Sequence, residues 1–253
     1  MDIIFHLPFP IKICNKIFNY TCKSPHDGLG IYILKHRLRE ITNVDIFPEK
    51  DDELLYINVY NITKNPLHLK LKLDLYSCFK NMSDLFLQNS YIYDNINVIY
   101  NLTKLKRLSL NNTSAFGNIE NLSGLIHLTE LDLLNTNIVG NIYHLSKLVE
   151  LTTIHLGNTR IHGDIIHLSD LENISVFKLQ NTNVEGDISC LKKLKHLSMF
   201  DLSDTNVCGD ITHLKELTYI SRIETINTNV CGDPKLFNDY RYKKFFFCCY
   251  IYL

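Results

Sequence analysis

Residues 128–150 read LTELDLLNTNIVGNIYHLSKLVE, and residues 151–173 read LTTIHLGNTRIHGDIIHLSDLEN. Set one above the other, these segments share their Leu, Thr, Gly and Ile positions, and the register extends in both directions. Gly117, Gly140, Gly163, Gly186, Gly209 and Gly232 fall at steps of 23, as do Thr113, Thr136, Thr159, Thr182, Thr205 and Thr228. One apolar column is Leu105, Leu128, Leu151, Ile174, Leu197, Ile220. Another is Leu110, Leu133, Leu156, Leu179, Leu202, ending at Thr225. A unit this short cannot bury its own apolar face, whereas stacked units share one continuous core.

Within a unit, Leu131-Asp132-Leu133 alternates as a short strand should. Thr136 then turns the chain, and Gly140 supplies backbone freedom at the next bend. Ile142, Leu145 and Leu148 recur at spacing three, which suits a 3₁₀ or tight helical turn on the outer side.

The pattern L-x-x-L-x-L-x-x-T-x-V-x-G-D-I-x-x-L-x-x-L resembles the leucine-rich repeat family. It is nearest the type written L-x-x-L-x-L-x-x-N-x-L-x-G-x-I-P. Thr stands here where that type carries Asn, so the Thr hydroxyl is expected to serve the turn amides, and the Pro is missing. The resemblance covers 105–233, with a weaker unit at 82–104 carried by Met82, Leu85, Leu87, Ser90, Ile96, Ile99 and Leu102. It implies an α/β solenoid of about seven units over 82–233, with a curved parallel sheet inside and short helical or 3₁₀ turns outside.

Solenoid ends expose core and need caps. Alternating apolar and polar residues predict a β-hairpin N-cap over 53–81, pairing 54–60 with 67–76 and extending the first repeat's sheet. The aromatic segment 234–253 is expected to close the other end. Residues 1–52 are expected to be helical. FPIKICNKIFNY at 9–20 resembles the opening of an F-box through Pro10, Ile13, Ile17, Phe18 and Tyr20. Phe9, Lys12 and Thr21 depart from that pattern, and no Trp closes the module. The resemblance implies a ubiquitin-ligase adaptor docking on residues 9–41 while the repeats hold a substrate. A helical cap is the alternative reading of the same residues.

Composition narrows the function. The 253 residues are 45% apolar and 21% charged, too apolar and too nearly neutral for long-range disorder. The formal charge is −1, so no basic field exists to hold nucleic acid or anionic lipid. No apolar run approaches the ~18 residues of a spanning helix. The N-terminal residues MDIIFHLPFPIK lack a basic region, and Pro8 and Pro10 break their apolar run. A cytoplasmic or nuclear location follows as the expectation, with the eight Cys as free thiols.

Column mates in stacked units lie about one strand spacing (~4.8 Å) apart, so each column is a candidate site. Asn118, Asn141, Asp164, Asp187, Asp210 and Asp233 form one. They suit turn capping better than Ca²⁺, which needs converging oxygens rather than a line. Asn121, His144, His167, Cys190 and His213 form another, whose linear layout does not offer the tetrahedral set of a structural zinc. Cys208 and Cys231 are column mates and thus a candidate disulfide pair, which a reducing compartment disfavours. Neither a cofactor nor a metal is expected, and no catalytic motif is present.

The exposed strand columns remain: Arg107, Glu130, Thr153, Val176, Met199, Arg222; then Ser109, Asp132, His155, Lys178, Asp201, Glu224; then Asn111, Leu134, Gly157, Gln180, Ser203, Ile226. In the family resembled they make the concave recognition face. Apolar anchors beside charges of both signs suit a protein or peptide partner. The expectation is a non-catalytic interaction scaffold, its partner seated on Val176, Met199, Lys178 and Asp201, with His155 and Glu130 toward the rim.

Overall fold

The computed structural model describes residues 80–90 and 92–233, with residues 73 and 77 and two strands beyond them. Two parallel sheets run the length of the stack. The first holds nine strands: β1 (Tyr56–Asn58), β2 (Asp84–Phe86), β3 (Arg107–Ser109), β5 (Glu130–Asp132), β7 (Thr153–His155), β9 (Val176–Lys178), β11 (Met199–Asp201), β13 (Arg222–Thr225) and β15 (Lys244–Phe247), neighbouring in that order. From β2 to β13 the register steps by 23 residues, so Glu130 faces Thr153 and Met199 faces Arg222.

The second sheet was not foreseen. It consists of β4 (Phe116–Asn118), β6 (Asn137–Asn141), β8 (Arg160–Asp164), β10 (Asn183–Asp187), β12 (Asn206–Asp210) and β14 (Asn229–Cys231). Its register steps by 21, not 23: Val139 faces Arg160, and Cys208 faces Asn229. Each outer side then closes with a 3₁₀ turn such as Ile142–Leu145 or Ile165–Leu168.

This is an α/β leucine-rich repeat solenoid, and the apolar columns form its core. Leu105, Leu128, Leu151, Ile174, Leu197 and Ile220 are all completely buried, as are Leu133, Leu156, Leu179 and Leu202. Burying one such side chain stabilises the fold by about 1.5–3 kcal/mol. On the inward side of β9 and β11, Phe177 and Phe200 stack with ring centroids 5.4 Å apart.

The turn after each first-sheet strand uses two residues. Thr136, Thr159 and Thr182 are buried, and each hydroxyl donates to the carbonyl three residues back, at 2.6–2.7 Å. Serving amides was the expectation. Carbonyl capping prevails here, and an amide contact is seen only as a weak 3.3 Å bond at Thr113 and Thr228. The residue before each Thr, and before Ser90 in the first unit, adopts left-handed backbone, with φ between 53° and 57° from Asn89 to Asn227. Asn and Asp tolerate that region where other L-residues do not. Their side chains form an exposed ladder. Asn112 Nδ2 donates to Asn89 Oδ1, Asn135 to Asn112, Asn158 to Asn135 and Asn181 to Asn158, at 2.6–2.9 Å. Asp204 cannot donate onward to Asn181, and the series resumes with Asn227 donating to Asp204.

The column after each Gly caps the outer turn. Oδ1 of Asn118, Asn141, Asp164, Asp187 and Asp210 accepts from the amide two residues on, at 2.8–2.9 Å. That carboxylate or amide also explains the next unit's Gly. Gly186 has φ +107°, and a Cβ there would lie 2.8 Å from Asp164 Cγ.

At the ends, β1 pairs parallel with β2 at a 28-residue step, and β15 pairs parallel with β13 at a 22-residue step. Both add solenoid strands to the first sheet. For the hairpin expected over 53–81, the described residues show β1 beside β2, and Leu73 buried in a 3₁₀ turn rather than a strand. The rest of the second expected strand, and the F-box-like segment 1–52, lie outside the described residues. Of the 234–253 segment, only β15 is described. Among the described residues no helix is long and apolar enough to cross a membrane.

Candidate functional site

All six residues singled out from the sequence stand on one face of the first sheet. Glu130, Val176 and Met199 share a column on β5, β9 and β11. His155, Lys178 and Asp201 share the next, on β7, β9 and β11. Each is half-buried. They alternate with fully buried Leu131, Ile154, Phe177 and Phe200 on the opposite face, as the two-residue period of a strand demands. The stacked Phe177–Phe200 pair therefore lies directly beneath Val176, Lys178, Met199 and Asp201 and holds their backbone in one arrangement.

His155, expected toward the rim of the contact, stands between Asp132 and Lys178 in its column, as the 23-residue step implies. Its Nδ1 is 3.9 Å from Asp132 Oδ2, and the two side chains are 24% and 23% exposed. Asp132 is further engaged by Asn111 Nδ2 and by the Leu134 amide at 3.2 Å. Burial pushes its carboxyl up, but the neighbouring His155 ring and the hydrogen bonds from Asn111 and Leu134 together outweigh burial and hold it below the usual carboxylate range. Asp201 repeats the device on a neighbouring strand, Oδ1 accepting from the Ser203 amide at 3.0 Å. At the two ends of the face the charges are internally paired, Arg107 with Asp84 and Arg222 with Glu224. Arg107 also lies 5.2 Å above the Phe86 ring.

Two side chains in the middle are not satisfied. His155 Nε2 and Gln180 Oε1 are buried without a hydrogen-bond partner. Gln180 lies over Gly157 on the adjacent unit, so closely that any Cβ there would fall within 2.8 Å of its Nε2. The columns contained Gln180, Gly157 and Asp132, but spacing carries no sign that an amide would fold over a missing side chain.

The outer ladders have another chemistry. Tyr143 packs edge-on against His144 and His167, at centroid distances of 5.6 and 5.1 Å. The Cys190 thiol is pushed up to about 12, first by burial and then by the carboxylates of Asp164 and Asp187, which disfavours the thiolate a zinc site requires. Among the described residues no three His, Cys, Asp or Glu converge as a metal site. Cys208 and Cys231 are exposed free thiols. The 21-residue register sets Cys208 opposite Asn229 and Cys231 opposite Asp210, and the two thiols are not joined as a disulfide. A polar cavity of about 310 Å³ lies along the turns, lined by Asn158, Asn181, Arg160 and Asp204 among others.

No family model matches this sequence, and no curated protein matches it. Solved structures share its fold. An internalin C2 from Listeria monocytogenes superposes with a TM-score of 0.61 at 18% identity, over 84% of this chain and 89% of that one. The Arabidopsis receptor kinase HAESA ectodomain, solved in complex with an extended IDA peptide hormone, gives 0.63 at 21% identity over 71% of this chain. The plant peptide hormone receptor RGFR1, in complex with RGF2, gives 0.57 at 18% identity over 69%. The chain spans about a third of each receptor, 32% and 33%.

Proposed function

We propose that this chain is a non-catalytic interaction scaffold whose solvent-facing first sheet receives a protein or peptide partner. The contact centres on Val176, Lys178, Met199 and Asp201, with His155 and Glu130 beside them. The observation that carries this reading is the grouping of six half-buried side chains in two adjacent columns, four of them over the stacked Phe177–Phe200 support. Apolar and charged groups sit together on a rigid backing there, and binding energy concentrates in central positions of that kind. Two receptors of like fold were solved with peptide hormones bound, which favours a peptide over a small molecule as the kind of partner. The repeats 105–233 carry ten basic against fifteen acidic residues, a net −5, which opposes a phosphate-rich partner.

The test is affinity capture compared across variants. Met199→Glu with Val176→Lys should abolish capture of the native partner with little change in melting temperature, since both side chains meet solvent in the free protein. His167→Ala with His213→Ala, on the outer ladder, should leave capture intact. The opposite pattern would show that recognition uses the outer face. Deleting residues 1–52 separates the substrate-receptor version of this reading: loss of a ubiquitin-ligase adaptor with retention of the other partner would assign the sheet to a ligase substrate.

A further inference from the structure

The unsatisfied pair on the first sheet specifies what the partner must bring, an inference that rests on the reading of that sheet as a partner platform. His155 and Gln180 stand on adjacent strand units of the same face, with Gln180 folded over the gap that Gly157 leaves. The Asp132 carboxylate lies on the Nδ1 side of His155. In the neutral imidazole a carboxylate on that side favours the tautomer with its proton on Nδ1, and Nε2 is then a lone-pair acceptor. Gln180 Oε1 is an acceptor in any state. Neither has a donor, and both are buried. Buried polar groups are ordinarily paired, and an orphan in a native structure calls for a cause.

The surrounding charge points the same way. Asp132 and Asp201 share the His155 column with a single ammonium, Lys178, while Glu224 at its end is paired with Arg222. Two orphan acceptors in a net-negative column complement a group that is cationic and offers several donors in one plane. Among side chains, guanidinium is that group, because its donors fork and it is weakly hydrated. An ammonium could reach one acceptor as a point charge but lacks the fork. We infer that the partner segment carries an arginine whose guanidinium displaces the Gln180 amide from over Gly157 and donates to the uncovered His155 Nε2 and Gln180 Oε1, with Asp132 and Asp201 flanking it.

The free protein provides a first test. Replacing orphan acceptors by apolar groups of similar shape removes an unsatisfied burden, so His155→Phe with Gln180→Leu should melt at or above the wild-type temperature. A drop of several degrees would show that the pair serves the fold and would overturn the inference. The second test selects a random-sequence peptide display library on the full chain. Wild type should enrich peptides with a shared arginine. Replacing that arginine by citrulline should weaken binding about tenfold or more, the scale of hydrogen bonds to a charged donor. On the His155→Phe, Gln180→Leu variant the same replacement should cost about twofold or less, as a coupled pair requires. Peptides that bind wild type and are lost on Met199→Glu with Val176→Lys, yet show no arginine preference, would overturn this inference and keep the platform. Peptides unaffected by Met199→Glu with Val176→Lys, or the failure of any to enrich, would overturn the platform and the inference together.

Discussion

Gly186→Ala tests whether the glycine column is imposed by its neighbour or only by its turn. Gly186 has φ +107°, so an alanine there is strained by about 1–3 kcal/mol. Its Cβ would also lie 2.8 Å from Asp164 Cγ and 3.3 Å from Ile165 Cγ2. Asp164 can retreat only by releasing the 2.9 Å bond it accepts from the Ile166 amide, and losing such a cap costs about 1 kcal/mol. The stiffer unfolded chain returns about 0.4–1 kcal/mol. The net is a destabilisation of about 1–3.5 kcal/mol, or a melting temperature lower by roughly 2–14 °C for a chain of this size. Thermal unfolding followed by far-ultraviolet circular dichroism measures it. The decisive comparison is a double-mutant cycle with Asp164→Ala. The cap can be lost only once, so the double variant should be about 1 kcal/mol more stable than the sum of the singles. Strict additivity, or a Gly186→Ala that melts with wild type, would refute the argument.

Leu156→Ala should cost about 2–5 kcal/mol in urea denaturation, because Leu156 is completely buried in a close-packed column. Thr159→Val should destabilise by about 1 kcal/mol while Thr159→Ser stays closer to wild type, since the hydroxyl caps the Leu156 carbonyl at 2.6 Å. With its thiol pushed up to about 12, Cys190 should resist iodoacetamide at pH 8 in the native protein, while exposed Cys208 and Cys231 are alkylated; mass mapping of the modified peptides reads this. Asp132 has its folded pKa below the unfolded value, so its contribution to stability is present above about pH 4 and is lost as pH falls through the lower folded value. The stability gap between wild type and Asp132→Asn should therefore narrow as urea midpoints are followed from pH 6 to pH 3.

Periodicity made the first sheet and the core legible, because inward positions such as Leu131, Ile154 and Phe177 must be apolar in every unit. The second sheet was hidden by its glycine. In 137–141 the exposed Asn137 and Val139 alternate with buried Ile138 and Gly140, but a Gly in that position reads as a bend. The Asn ladder was masked by the more regular Thr column one residue later, although recurrence of Asn at 112, 135, 158 and 181 carried the signal of a left-handed turn. For the site, the columns of Val176, Met199, Lys178 and Asp201 followed from alternation alone. The fold of Gln180 over Gly157 depends on a neighbouring unit and on rotamers, which no single unit encodes.

The amide ladder gives the molecule a freedom of length. Asn112 hands its amide hydrogen to Asn89 through the same bond by which Asn135 serves Asn112, and the buried columns meet across those boundaries in like fashion. Excising 23 residues anywhere between Asn89 and Asn181 rejoins a donor to an equivalent acceptor and a Leu to an equivalent Leu. Such a chain can grow or shrink by whole turns in descent without renegotiating its seams. Among the described residues the seam at Asp204, which receives but cannot give, is of a different make.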